Sequence, residues 1–485
     1  MLLPGRISLL TFVCAVLLPT EAADRLHSIS LQAVALAAAT QADPPTKGQV
    51  TDRIVCVGDA KQSYALYLPS NYSPTRNSAI LYAFDPGARG KVPVDRFKDA
   101  AERYGWIVVG SNNSRNGPLQ QSTDAFKAMW KDTHERFAID QARVYATGLS
   151  GGARVAVMLA HLCQDCIAGV IGCGAGFPEG VVPTPGMHFV FFGTVGVDDF
   201  NFPEVRTLDD ALLKAGIAHR VRVFSGRHEW APAAVATEAV EWMELQAMKT
   251  GKLQRDGNLI DDLWRNHSAA ANASLAANKP YEAYQVLAGL IDSCKGLHDT
   301  SEAEKLAGQL RDSRAVKDAQ REERQQISRQ RESEREIYAL IAASSGEETF
   351  DSGTRLRATI AELKKSAKAE TDTGERRVAR RVAEGLVIGL FEHGLNLLQV
   401  QKSYDQAAKK LELAVEIGSD RPGTFFYLAQ AYALSGNRKK SLQALQNAID
   451  KGFSDRAAIA DNKAFDSLRH EPQYLQIIQS LKSGH

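Results

Sequence analysis

Cysteine is scarce in this chain of 485 residues: the six present are too few for a scaffold built from disulfides. Neither sign of charge is in excess. Lys and Arg number 58 against 57 Asp and Glu, so the average field offers no strong pull on nucleic acid or anionic lipid, and no nucleic-acid partner is expected. Beyond the amino end, no stretch reaches about 18 uncharged apolar residues, so the mature chain is expected to have no integral membrane span. What is present is the composition of folded material, 44% hydrophobic and 24% charged. Its length exceeds what one core usually serves, so more than one domain is expected.

The amino end departs from the rest. Residues 1–23 carry Arg6, an apolar stretch from Ile7 to Pro19 and small residues at Ala22 and Ala23, the layout of a secretory signal. Export to the periplasm or extracellular space follows as an expectation, and Cys14 would leave with that segment. Residues 24–50 read as a flexible N-terminal segment.

From 51 to 250, strand and helix patterns alternate. Strands are read at Ser63–Leu68, Ile80–Phe84, Trp106–Gly110, Val144–Gly148, Gly169–Gly174, His188–Phe192 and Arg220–Phe224. Helices are read at Val94–Tyr104, Gln121–Phe137, Gly152–Leu162, Val205–Ala215 and Pro232–Met248. Such alternation predicts a mostly parallel sheet covered by helices on both faces.

One local feature carries chemistry. The strand ending at Gly148 runs into Gly148-Leu149-Ser150-Gly151-Gly152, and a small-residue helix follows at once. Glycines at such a turn let strand and helix pack closely, exposing Ser150 at the top of the sheet as a candidate nucleophile. The competing phosphate loop would place a Lys after the glycines, and none is there. A serine hydroxyl needs a base, and the base needs an orienting carboxylate. In this arrangement they follow in the order Ser, Asp or Glu, His. The loop Gly196-Val197-Asp198-Asp199 offers the acid, with Asp199 preferred and Asp198 the alternative, and Gly226-Arg227-His228 offers His228 as the base. His161 and His188 are poorer candidates, within a helix and at a strand start. Oxyanion donors are expected from the Gly151 N–H and from the loop after Ile80–Phe84. There Phe84 is favoured and Asp85 is next, since Pro86 has no N–H. Asp85 and Arg89 could instead close a turn.

With these residues in place, the chain resembles α/β-hydrolases, and within them secreted esterases similar to polyhydroxybutyrate depolymerases and feruloyl esterases. The segments carrying the likeness are Tyr145–Ala156, Gly193–Glu204 and Gly226–Trp230. The resemblance implies Ser150 as acylated nucleophile, His228 as base and Asp199 as acid, favoured by the Phe200-Asn201 that follows it. Phe84-Asp85-Pro86-Gly87 stands where the family has a His-Gly signature, and Arg227 stands where Gly is frequent. An ester substrate is implied, with no metal or other cofactor. Cys163, Cys166 and Cys173 lack zinc-site spacing with a second ligand pair. A bridge between Cys163 and Cys166, or from Cys56 to one of the three, is the alternative.

After 250 the strand signals fade. Residues 251–345 read as a helical, charged region: Asn258–Ile291 as two helices, then Ser301–Ala342 as a solvated helix or short coiled coil, with a linker at 343–348. Residues 346–485 read as a helical repeat domain. Phe425, Leu428, Ala429, Tyr432, Gly436, Ser441, Leu445 and Ala448 resemble a tetratricopeptide repeat. Ala407, Leu411 and Ala414 precede Ser441, Leu445 and Ala448 by one 34-residue period. Such repeats imply either a surface for a protein or peptide partner or packing against the first half. The expectation for the whole is a serine esterase. A hydrolase-fold binding protein without efficient turnover and a serine peptidase are the alternatives.

Overall fold

The computed structural model describes residues 45–344 and 350–481. The expected signal, most of the segment after it and most of the 343–348 linker lie outside the described residues. Eight strands form one sheet: β1 (Val50–Cys56), β2 (Asp59–Tyr67), β3 (Ser78–Phe84), β4 (Ile107–Ser111), β5 (Ile139–Leu149), β6 (Gly169–Cys173), β7 (Val190–Gly196) and β8 (His219–Phe224). Their spatial order is β1-β2-β4-β3-β5-β6-β7-β8. β1 and β2 are antiparallel, and from β4 to β8 all neighbours run parallel.

The central strands are continuous apolar runs because both faces are covered. All seven residues of β3 are buried. Ile80, Tyr82 and Phe84 point to one face, where α2 (Leu119–Arg136), α3 (Gly151–Leu162) and α4 (Phe202–Lys214) pack. Ala79 and Leu81 point to the other, against α1 (Lys91–Tyr104) and α5 (Ala233–Lys249).

Several strand readings change: β2 and β5 open four and five residues before the readings Ser63–Leu68 and Val144–Gly148. β1 opens inside the segment read as flexible, because it is an edge strand exposed on much of both faces and so lacks an apolar alternation. A hairpin at Val57-Gly58 joins it to β2, with Gly58 at φ 93°. β7 begins at Val190 rather than His188, since its parallel register with β6 starts at Gly169 opposite Val190; His188 is exposed.

After Lys249 the described chain is helical: α6 (Gly257–Ala276), α7 (Pro280–Cys294), α8 (Ser301–Asp312), α9 (Arg314–Ala343), α10 (Phe350–Ala367), α11 (Gly374–Gln399), α12 (Tyr404–Ile417), α13 (Pro422–Leu434), α14 (Arg438–Asp450), α15 (Arg456–Ala460) and α16 (Pro472–Ser480). The stretch read as one solvated or coiled-coil helix is divided at Ser313, whose side chain accepts from the Val316 N–H and so starts α9 afresh. α9 is not solvated all round: Ile337, Leu340 and Ile341 are buried with Val382 and Leu386 of α11, and Ile327 packs on Val195, Phe202 and Val205 of the sheet half. α12 follows α11 as one helical hairpin, and α14 follows α13 as another. The Ser441 hydroxyl donates to the Ala429 carbonyl at 2.7 Å, closing the second hairpin. At 26 residues, α11 is twice the length of α13, and its amino-terminal half reaches the carboxyl edge of the sheet. The chain from Lys47 onward is one compact unit.

Candidate active site

Ser150 stands between β5 and α3 with φ 55° and ψ −120°, a conformation costing a non-glycine residue about 1–3 kcal/mol. Its neighbours make the turn possible. A Cβ on Gly148 would lie 2.1 Å from Gly152 backbone, and one on Gly152 would lie 1.9 Å from the Phe84 carbonyl oxygen. The Ser150 N–H is held by the Cys173 carbonyl at 2.8 Å. Gly151 opens α3, where helix N–H groups lack intrahelical partners.

The two loops read as acid and base meet. His228 Nδ1 and Asp199 Oδ1 are 2.9 Å apart, with Asp199 fully buried and the His228 side chain 9% exposed. The same oxygen accepts the Asn201 N–H at 2.8 Å, and Asn201 Nδ2 donates to the Gly174 carbonyl at 2.7 Å. Gly174 adopts φ 60°, and a Cβ there would come within 2.8 Å of Asp199 Oδ2 and 3.2 Å of His228 Nδ1. Only glycine suits both the backbone and the space. The Phe200 ring lies against the His228 ring, centroids 4.2 Å apart. With Nδ1 engaged, Nε2 is the nitrogen left to exchange a proton. Among the described residues, the Ser150 hydroxyl makes no hydrogen bond.

Asp198 turns the other way. Its Oδ2 pairs with Arg380 Nη1 of α11 at 2.9 Å and does not contact His228. Phe84 is fully buried, its ring in the core against Phe126. The Asp85 carboxylate is buried as well: Oδ1 accepts from the Gly87 N–H and Arg89 Nε, both at 2.8 Å, and Oδ2 accepts from Trp230 Nε1 at 2.9 Å. It therefore closes the turn after β3 and ties it to the His228 loop. His161 lies exposed on α3. Cys163 and Cys166 are bridged, while Cys56, Cys173 and Cys294 are buried free thiols. Burial pushes the Cys173 thiol up, which suits packing rather than nucleophilic work.

Ser150 and Gly151 open into a cleft of about 1110 Å³. Its floor and near wall come from the sheet half, including Asn116, Arg154, Phe200 and Glu204; the far wall comes from α9 and α11, including Glu334, Tyr338, Ile388 and Glu392. Arg154 Nη2 bonds both Glu204 carboxylate oxygens at 2.8 Å. The Asn116 carboxamide crosses the cleft's edge. Its oxygen sits where a Gly151 side chain would be, 2.0 Å from such a Cβ, and Nδ2 donates to Glu392 at 3.1 Å. Burial lifts Glu334 above the ordinary carboxylate range. It lifts Glu384 of α11 too, against the opposing charges of Arg421 and His228.

Asn116 was not singled out by sequence reasoning, though the polar run 112–116 just after a parallel strand is a signal: ligands gather at the carboxyl ends of such strands. Residues of α9 and α11 had no local signal at all.

No protein-family model matches the chain, and no match is found among curated proteins. Among solved structures, it is similar to a ferulic acid esterase at 17% identity, covering 40% of this chain and 97% of that one, with a TM-score of 0.34. It is similar to the feruloyl esterase module from Clostridium thermocellum at 14% identity over 41% and 88%, TM-score 0.34. Against the S-formylglutathione hydrolase from Staphylococcus aureus the identity is 13% over 41% and 98%, TM-score 0.33. The fold is an eight-stranded, mostly parallel sheet covered by helices on both faces and followed by an all-α region. Among the described residues, no group of His, Cys, Asp and Glu is arranged to hold a metal, and no helix is long and apolar enough to cross a membrane.

Proposed function

We propose that the protein is a serine hydrolase of carboxylic esters, with Ser150 as nucleophile, His228 as base and Asp199 as the carboxylate that orients it. The observation carrying this reading is the hydrogen bond of buried Asp199 to His228 Nδ1 at 2.9 Å, in a fold whose strand-to-helix turn holds Ser150 at φ 55°. In the reaction, Ser150 Oγ bonds to the ester carbonyl carbon as its proton passes to His228 Nε2. The tetrahedral oxyanion takes the Gly151 N–H and a second backbone N–H at the end of β3, for which Phe84 is the candidate. Collapse breaks the bond to the alkoxy group, which leaves as alcohol with the His228 proton. Water, deprotonated by His228, then releases the acid and restores Ser150. The cleft's far wall makes α9 and α11 part of the substrate site.

A second reading, a hydrolase-fold binding protein without efficient turnover, is favoured by one observation: the Ser150 hydroxyl makes no hydrogen bond among the described residues. Such contacts often tighten only when substrate is bound. The deciding experiment is hydrolysis of aryl, acyl-sugar and polyester substrates by the full chain and by Ser150→Ala. The expected result is turnover in the first, reduced about 10⁴-fold or more in the second; equal turnover in both would sink the mechanism, and a peptide substrate cleaved in preference would redirect it to a peptidase.

Export is part of the proposal, supported by the signal-like residues 1–23 and by the Cys163–Cys166 bridge, which suits an oxidising compartment. So is the assignment of the 34-residue helical period to the tetratricopeptide type. Packing of α11 on the sheet half supports an internal use of these helices over a free peptide-docking surface.

A further inference from the structure

The turn that carries Asp199 has three polar groups facing away from the sheet, and each is met by a residue from the helical half. The Val197 carbonyl accepts from Arg381 Nε at 2.7 Å and also from its Nη2. The Asp198 carboxylate takes Arg380 at 2.9 Å. The Phe200 carbonyl accepts from Gln330 Nε2 at 2.8 Å. Packing closes the same contact: the Arg381 guanidinium lies 3.8 Å from the Phe202 ring centroid, and Gly385 leaves room for the Phe200 side chain, which a Cβ would approach to 3.2 Å.

Arg381 is only 2% exposed. Burial pulls its pKa down to about 10, opposed by the charge of Asp198. Desolvating a guanidinium is costly unless geometry and partners compensate, and here its hydrogen bonds go to one backbone carbonyl, two residues before Asp199. The sheet half holds the turn through the Val197 and Asp198 N–H groups, which reach the Phe224 and Gly226 carbonyls, both at 2.9 Å, and through Asn201 Nδ2 on the Gly174 carbonyl at 2.7 Å. Without the helices, the turn would keep these contacts, and its three outward polar groups would lose their protein partners.

We infer that Arg381 and Gln330 are positioning residues of the active centre, and that α9 and α11 clamp the 197–202 turn so that Asp199 stays on His228. This rests on the reading of Asp199 and His228 as acid and base. It makes the helical half an intramolecular part of the catalytic machinery.

The test uses the full chain with Arg381→Met, which keeps an unbranched apolar stem but removes every donor, and Arg381→Lys, which keeps the charge and a single donor nitrogen. Two quantities are read: kcat and KM for an ester the wild type hydrolyses, and the low-field proton resonance of His228 Nδ1–H, assigned by its loss in His228→Gln. In Arg381→Met, kcat is expected to fall about 100-fold, as for other displacements of about 1 Å set from a distance, with KM nearly unchanged and the resonance exchange-broadened. Arg381→Lys should recover part of both. Arg381→Met folded, with wild-type kcat and an unaltered resonance, overturns the clamp while leaving the triad standing. Turnover that survives Ser150→Ala, or a wild-type chain without the His228 resonance, overturns the triad reading instead.

Discussion

The two halves of the molecule build the candidate site by different means. In the sheet half, chemistry is placed by backbone geometry over short stretches of chain. Ser150 is held by a turn whose glycines leave no room for a side chain, a Cβ there coming within 1.9 and 2.1 Å of backbone atoms, and His228 lies just after the last strand. In the helical half, side chains reach the site across long separations, 184 residues for Arg381 to Val197 and 130 for Gln330 to Phe200. The candidate reactive groups are thus set locally, while the turn bearing Asp199 is held from afar.

The comparison can be broken most sharply at the neighbouring aspartates. Asp199→Asn is expected to lower kcat about 10⁴-fold, since it removes the acceptor that fixes the His228 tautomer. Asp198→Asn removes a charge that faces Arg380 and Arg381 but leaves Asp199 on His228, and should cost less than about 10-fold. Steady-state kinetics on the two variants checks this. A reversed order would place the acid in the wrong residue.

Next in size is Gly174→Ala. Its Cβ would meet Asp199 and His228 in a backbone conformation that disfavours any side chain, so kcat should fall about 100-fold, with a smaller loss of thermal stability. Wild-type kinetics in this variant would show that the Asp199–His228 contact tolerates displacement.

The smallest effect concerns Glu384, the carboxylate on α11 that burial lifts above its ordinary range. Its folded state holds a proton to higher pH than its unfolded state, so folding is favoured as pH falls through the interval between the two values and loses that contribution as pH rises. Wild type compared with Glu384→Gln should therefore gain relative stability on going from neutral to mildly acidic pH. Melting temperatures measured across that range give the sign. A relative loss on acidification would mean that the Arg421 pairing, rather than burial, governs Glu384.

This division also explains what was legible in the sequence. The parallel sheet, the turn at Ser150 and the loops bearing Asp199 and His228 follow from apolar runs, glycine spacing and chain order, all readable within a few residues. Asp199 was preferred over Asp198 by the Phe200-Asn201 that follows it, but adjacent loop residues point apart, and the fold is what shows Asp199 on His228 and Asp198 on Arg380. β1 was missed because an exposed edge strand has no one-sided apolar pattern. The charged stretch at Ser301–Ala342 looked solvated because most of its side chains do face water. Its few apolar residues, Ile327 and Ile337 among them, are the ones that meet the sheet half and α11. Nothing local marks Gln330 or Arg381, since each is a polar residue beside other polar residues on its helix and its partner lies in the other half.

The most direct test of the account is the reaction of the full chain with a fluorophosphonate, followed by peptide mapping of the adduct. One phosphonyl group on Ser150, absent in Ser150→Ala and strongly slowed in Asp199→Asn, is the predicted result. An adduct on another residue, or ester turnover by a chain whose Ser150 stays unmodified, would contradict it.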